Sequence, residues 1–217
     1  MDFATTLLQL SQGLIVSLEI FFLTLLFSLP LGMVVCFGRQ SHIGWIRWLA
    51  KVYISIMRGT PLMLQLIVVY FGPYYLFRIR ISADYRFIAT IIAFSVNYAA
   101  YFAEIYRGGL ESMPKGQYEA AQVLGYTRSQ TFFHIILPQL IKRVLPAVTN
   151  EIITLVKDTS LAFAIAVAEM FTIAKQIAAA NTTIVPLMIA GLYYYVFNLL
   201  VSFVMERIEK HYGYYKI

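Results

Sequence analysis

The sequence predicts an all-α integral membrane protein crossing the bilayer five times. Three observations lead there. Sixty per cent of the 217 residues are hydrophobic and only 13% are charged, with a mean hydropathy of +0.71, which is far from the balance of a water-soluble domain. Several apolar runs reach the roughly 20 residues that a helix needs to cross the hydrocarbon core. The charges that remain are concentrated between those runs.

Taken in order, the first span covers residues 14–37. It is too long for a signal-peptide core, and no Lys or Arg precedes it, so it is expected to stay in the mature chain. Residues 45–57, with Trp45, Trp48 and Tyr53, form an amphipathic segment expected to lie on the inner membrane surface, ended by Arg58-Gly59-Thr60-Pro61. The second span, residues 62–77, is short unless it extends back through residues 53–57. The third span covers residues 87–106. The fourth, residues 144–167, is interrupted by Glu151, Lys157 and Asp158, and the fifth covers residues 184–205.

Positive charge sets the orientation. With the N-terminus outside, the inner segments hold Arg39, Arg47, Lys51, Arg58, Arg107, Lys115, Arg128, Lys142, Arg143, Arg207, Lys210 and Lys216, against Arg78, Arg80, Arg86 and Lys175 outside. Five spans then leave the C-terminus inside. The net charge of +6 follows from this topology and is too dispersed for nucleic-acid binding. The alternating charges of residues 206–216 suit a membrane-surface tail. No repeat or linker divides residues 1–217, which read as one membrane domain.

Between the third and fourth spans lies a polar stretch, residues 112–138. Ser112 and Pro114 are placed to open a first short helix, and Gly125 to end it in the left-handed conformation. Thr127-Arg128-Ser129-Gln130 fits a capping box for a second helix closed by Pro138. Glu119, Ala120 and Ala121, flanked by Tyr118 and Gln122, then form a small-residue surface open to another protein.

The spacing Glu119-Ala120-Ala121, Gly125, Ile135, Leu137-Pro138 resembles the EAA loop of permease subunits of ATP-binding-cassette importers. Arg58-Gly59-Thr60-Pro61, Arg107-Gly108-Gly109-Leu110 and Lys157-Asp158-Thr159-Ser160-Leu161 resemble the polar amino acid branch containing HisM, HisQ, GlnP and ArtQ, most of all ArtQ-type permeases for basic amino acids. The resemblance spans residues 12–210. It implies a type I importer permease fold in a bacterial cytoplasmic membrane and a coupling helix seated on an ATPase subunit. It also implies a periplasmic or lipid-anchored amino acid binding protein outside, and a second permease copy, identical or related. ATP and Mg would be held by the partner: no glycine in this chain is followed by lysine, so there is no P-loop.

No metal or catalytic constellation is visible. His42, His134 and His211 are scattered, and the single cysteine, Cys36, reads as a small packed side chain. Polar groups at membrane depth are costly and mark function. Asn97, Tyr101 and Glu104 share one face of the third span, as Glu151, Thr154, Asp158 and Leu161 share one face of the fourth. Asn97 and Asp158 form an upper rung, with Glu104 and Glu151 about 10 Å lower. Asp158 would take an ammonium or basic side chain, and backbone N–H groups at a helix break near Thr159-Ser160 would take the carboxylate. The excess of Glu104, Glu151 and Asp158 over Lys157 favours a cationic amino acid; alternatively Lys157 can pair with Glu151 or Asp158, and Glu104, just before Arg107-Gly108-Gly109, can form a salt bridge near the interface.

Overall fold

The computed structural model describes residues 3–212. Lys216 and the end of the proposed surface tail lie outside them. The elements are α1 (Phe3–Arg39), α2 (Gly44–Gly59), α3 (Leu62–Phe77), α4 (Tyr85–Glu111), α5 (Lys115–Val123) and α6 (Arg128–Gln130). A π-helical turn (Thr131–Ile136) follows, then α7 (Leu137–Asp158), a 3₁₀ segment (Thr159–Ile165), α8 (Met170–Ala180) and α9 (Val185–Tyr212). Four helical stretches are long and apolar enough to cross a membrane: Phe3–Arg39, Tyr85–Glu111, Arg128–Ile165 and Val185–Tyr212. The bent pair α2–α3 supplies a fifth when counted as one span.

α4 is the centre of the bundle and packs against α1, α2, α3 and α7. Small residues permit this. Ala89, Ala93, Ala99, Ala100, Ala103 and Gly109 are buried on α4, and α1 buries Thr6, Leu10, Gly13, Ser17, Thr24, Ser28, Gly32 and Cys36 at helical spacing. In a bilayer, where burial of apolar surface between helices gains little, such close backbone approach supplies the packing. A Cβ on Gly32 would lie 2.8 Å from Phe102 Cβ, and one on Gly13 would lie 2.7 Å from the Cα of Met170. Gly13→Val is therefore expected to lower the melting temperature in detergent through overpacking of about 1–3 kcal/mol. Gly191→Ala, with open space around it, should leave it unchanged.

Two elements differ from expectation. Residues 45–57 do not lie flat at one end. α2 climbs along α4: the Tyr53 hydroxyl donates to the Val96 carbonyl, and the Met57 carbonyl accepts from Asn97, midway along α4. The chain then turns by 110° into α3, because Thr60 is extended before Pro61 (φ −125°, ψ 148°). Arg58 thus belongs to the middle of the bundle and not to its end. The second difference is α8, an extra helix of 11 residues packed on α1 and α9.

Residues Arg39, Arg107, Lys115, Arg128 and Arg143 gather at the end of the bundle that carries α5, called the lower end below. Arg78, Arg80, Arg86 and Lys175 lie toward the other.

Candidate functional site

At the lower end, the polar stretch forms the expected angled pair with two changes. Ser112 closes α4, its hydroxyl donating to the Gly109 carbonyl at 2.6 Å, while α5 begins directly after the extended Pro114 without a side-chain cap. Pro138 does not end the second helix. The π turn widens the hydrogen-bond spacing, with the Leu137 N–H reaching the Phe132 carbonyl. A proline next to such a turn interrupts little, because the ladder is already displaced there. The other two expectations hold. Gly125 has φ +79°, and the Thr127–Gln130 capping box is complete, with Thr127 N donating to Gln130 Oε1 at 2.9 Å and Gln130 N to Thr127 Oγ1 at 3.3 Å.

Of α5, only Ala121 is buried. Glu119, Ala120 and Gln122 are exposed, as are Tyr118, Val123 (87%) and Leu124 (73%). An apolar pair this exposed at the tip of a helix suits a protein partner. Gln117 and Gln139 bind each other through both amides, at 2.8 and 2.9 Å, and Gln139 also donates to the Ile135 carbonyl in the π turn at 2.8 Å. Arg143 donates to the Ser112 carbonyl. The Gln117–Gln139 pair fastens α5 to the start of α7, the helix that carries Glu151 and Asp158, and the Arg143 bond ties α7 to the end of α4.

The second constellation joins the middle of α4 to the C-terminal end of α7. Tyr98 donates to Asp158 Oδ2 at 2.7 Å. Tyr98 is buried and Asp158 half-buried. The Tyr98 ring is 6.2 Å from that of Tyr101, and the Arg58 guanidinium lies over Tyr101 at 5.2 Å. Between the contacts Gly109–Val144 and Tyr98–Asp158, antiparallel α4 and α7 advance 11 and 14 residues. Glu151, halfway along that stretch of α7, is therefore level with Glu104. Thr154 and Ser160 spend their hydroxyl donors on the Asn150 and Lys157 carbonyls, each one turn back or less. Leu161 is half-buried on the 3₁₀ segment, which packs on α3.

The elbow contacts of Asn97 were not foreseen. Asn97 is buried, and its amide donates to the Met57 carbonyl and to Gln65 Oε1, both at 3.0 Å. Gln65 in turn donates to Met57 O, Thr60 O and Thr60 Oγ1, so Asn97 and Gln65 together pin the α2–α3 elbow. Glu104 is held by Arg107 (2.6 Å), which also binds Glu111 (2.6 Å), and this removes one negative charge from the expected acid excess. Lys157 is exposed and enters no ion pair among the described residues.

The helix does not break at Thr159-Ser160. It tightens to 3₁₀ geometry, in which N–H groups bond carbonyls three residues back, and the Thr159 N–H remains bonded to the Leu155 carbonyl. The chain reverses only at Ala166 (φ 56°). Beyond it the fully buried Glu169 accepts from Phe171 N, Thr172 N, Thr172 Oγ1 and Tyr194 Oη at 2.6–3.0 Å, capping α8 and tying it to α9.

An apolar helical bundle with polar groups at mid-depth and an exposed short helix at one end is the arrangement of a membrane transport subunit. The chain belongs to the family of binding-protein-dependent transport system inner membrane components, whose model matches residues 12–214. It is 37% identical to the arginine transport system permease protein ArtQ of Bacillus subtilis, over 97% of this chain and 96% of that one. It is 38% identical to the L-cystine transport system permease protein TcyB of the same organism (93% and 85% covered), and 33% identical to a putative glutamine permease, GlnP, of Rickettsia conorii (92% and 90%). Among solved structures, an amino acid ABC transporter crystallised with histidines superposes with a TM-score of 0.86 at 32% identity, over 97% and 99% of the two chains. The MetNI methionine transporter shares the fold, with a TM-score of 0.75 at 19% identity over 98% and 99%.

Proposed function

We propose that this chain is the permease subunit of an ATP-binding-cassette importer for basic amino acids, arginine, lysine or histidine, in a bacterial cytoplasmic membrane. The observation that carries the substrate is the Asp158 carboxylate, half-buried midway along the bundle and oriented by Tyr98 at 2.7 Å, with Glu151 two turns below. A carboxylate kept at that depth calls for a cation. In this reading Asp158, Glu151, Tyr101, Thr154, Ser160 and Leu161 line the substrate site, Asn97 shapes it from behind, and Glu104 sets the charge of its lower rim.

The N-terminus is outside and the α5 end inside, in keeping with the surplus of Lys and Arg there. The exposed face of α5, with Tyr118, Glu119, Ala120, Gln122 and the corner at Gly125, sits on an ATPase subunit that binds ATP and Mg. A soluble binding protein delivers the amino acid at the opposite end. Two permeases, identical or paired with a related chain, swing between outward and inward openings as the ATPases close. Likeness to ArtQ supports the basic substrate. Glutamine is the second reading, favoured by neutralisation of Glu104 by Arg107.

The test is uptake of labelled arginine by proteoliposomes holding the permease, its ATPase and its binding protein, with unlabelled histidine and glutamine as competitors. ATP-dependent uptake blocked by histidine is expected. Uptake blocked by glutamine alone would shift the substrate, and uptake without the ATPase would mean an ion-coupled secondary transporter.

A further inference from the structure

The site as proposed holds anions for the cationic end of an amino acid but leaves its α-carboxylate without a partner. The donors expected at Thr159-Ser160 are spent: the Thr159 N–H is bonded to the Leu155 carbonyl, and the Ser160 hydroxyl donates to the Lys157 carbonyl. A carboxylate desolvated at this depth requires a compensating charge. Two cations are near. Lys157 adjoins Asp158 in sequence and would bring positive charge to the end of the site that already binds the substrate's cation. Arg107 lies below and is occupied by Glu104 and Glu111.

Arg58 remains. Its guanidinium lies over the Tyr101 ring at 5.2 Å, and Tyr101 in turn neighbours the Tyr98 ring whose hydroxyl donates to Asp158. It is exposed and makes no ion pair among the described residues. Its backbone is held at the α2–α3 elbow, where Asn97 and Gln65 take the adjacent Met57 carbonyl. Stacking on an aromatic face leaves the N–H edge of a guanidinium free to bind a planar carboxylate through two parallel hydrogen bonds.

We infer that Arg58 is a specificity-determining residue that receives the α-carboxylate of the transported amino acid, the aromatic pair Tyr98–Tyr101 linking it to the Asp158 carboxylate that receives the cationic end. The site is thereby bipolar and selects amino acids over simple amines. This rests on the function proposed above. Asn97 and Gln65 act as positioning residues, fixing the elbow from which Arg58 reaches Tyr101.

The test uses arginine and agmatine, which differ by the carboxylate alone, in equilibrium binding to the purified permease–ATPase complex without binding protein. The parent should prefer arginine by about ten- to a hundredfold, the range for a hydrogen-bonded charge contact. Arg58→Gln should bring arginine down to the agmatine level while leaving agmatine unchanged, and Arg58→Lys should keep part of the preference. Equal affinities in the parent, or an equal loss of both ligands in Arg58→Gln, would overturn the inference while leaving the proposed function standing. Binding of neither ligand to a folded parent complex would overturn the inference and move selectivity to the binding protein, and the uptake test alone then decides the proposed function. Should Arg58→Gln fail to assemble, Arg58→Lys decides: a reduced arginine-to-agmatine ratio supports the inference and an unchanged ratio overturns it.

Discussion

A permease carrying Glu119→Lys together with Gly125→Pro will insert and assemble with its second copy, yet substrate will no longer stimulate its ATPase, a loss of at least about tenfold. The reasoning starts from exposure. Glu119 lies on the open face of α5 and reversal of its charge touches no packed neighbour, so the bundle has no reason to respond. Gly125 has no neighbouring heavy atom within 4 Å of a would-be Cβ, but its φ of +79° is closed to proline, whose ring holds φ near −65°. The second change therefore re-aims α5 without disturbing the core, and the first alters what α5 presents to the ATPase. In the proposed mechanism motion passes from α5 into α7 through the Gln117–Gln139 pair, which joins the two helices. A misdirected α5 leaves that linkage intact but undriven. The measurement is ATP hydrolysis by the reconstituted complex with and without binding protein and amino acid, alongside size-exclusion chromatography to confirm assembly. Normal stimulation, or normal uptake, would remove α5 as the coupling element.

How much of this could be read from residues alone differs between the two ends of the bundle. The angled helix pair at the lower end was legible because its signals are local: a glycine where φ is positive and a Thr-x-x-Gln box both act within one or two turns. The failures there are local competitions as well. Ser112 could cap the helix ahead of it or the one behind, and it closes α4. Pro138 stops an α-helix but is harmless where a π turn has already displaced the ladder, and nothing in the residue type announces the π turn.

At mid-depth the polar stripes on α4 and α7 were legible from a 3.6-residue period, as was their alignment in depth. Their partners were not. That Asn97 would turn to the Met57 carbonyl depends on α2 climbing beside α4, a tertiary fact that leaves only aromatics on an amphipathic segment as its trace. The Glu104–Arg107 pair is the exception: Glu104 lies just before Arg107 at i,i+3, and the salt bridge was legible as its alternative role. α8 escaped notice because 11 residues are too few to cross a membrane and its buried cap, Glu169, makes sense only once Tyr194 is known to face it.

Asp158→Ala is expected to abolish arginine binding to the permease–ATPase complex, weakening it at least about a hundredfold, the scale of losing one partner of a desolvated charge pair. A structural carboxylate could mimic this result by unfolding the site, and Tyr98 separates the cases. Tyr98→Phe keeps the buried ring, only 2% exposed, and removes only the hydroxyl that donates to Asp158. If Asp158 exists to satisfy Tyr98, that change leaves the carboxylate without its partner, and the melting temperature should fall about as far as in Asp158→Ala. If Asp158 exists to meet a cation, Tyr98→Phe merely loosens its aim: arginine should still bind, about five- to tenfold more weakly, the cost of one orienting hydrogen bond. Asp158→Asn completes the argument, because it preserves shape and can still accept from Tyr98 while removing the charge. Retained stability with lost arginine binding in Asp158→Asn requires a cation-binding role for this carboxylate, whereas retained arginine binding would assign Asp158 to the architecture and move selectivity to the binding protein.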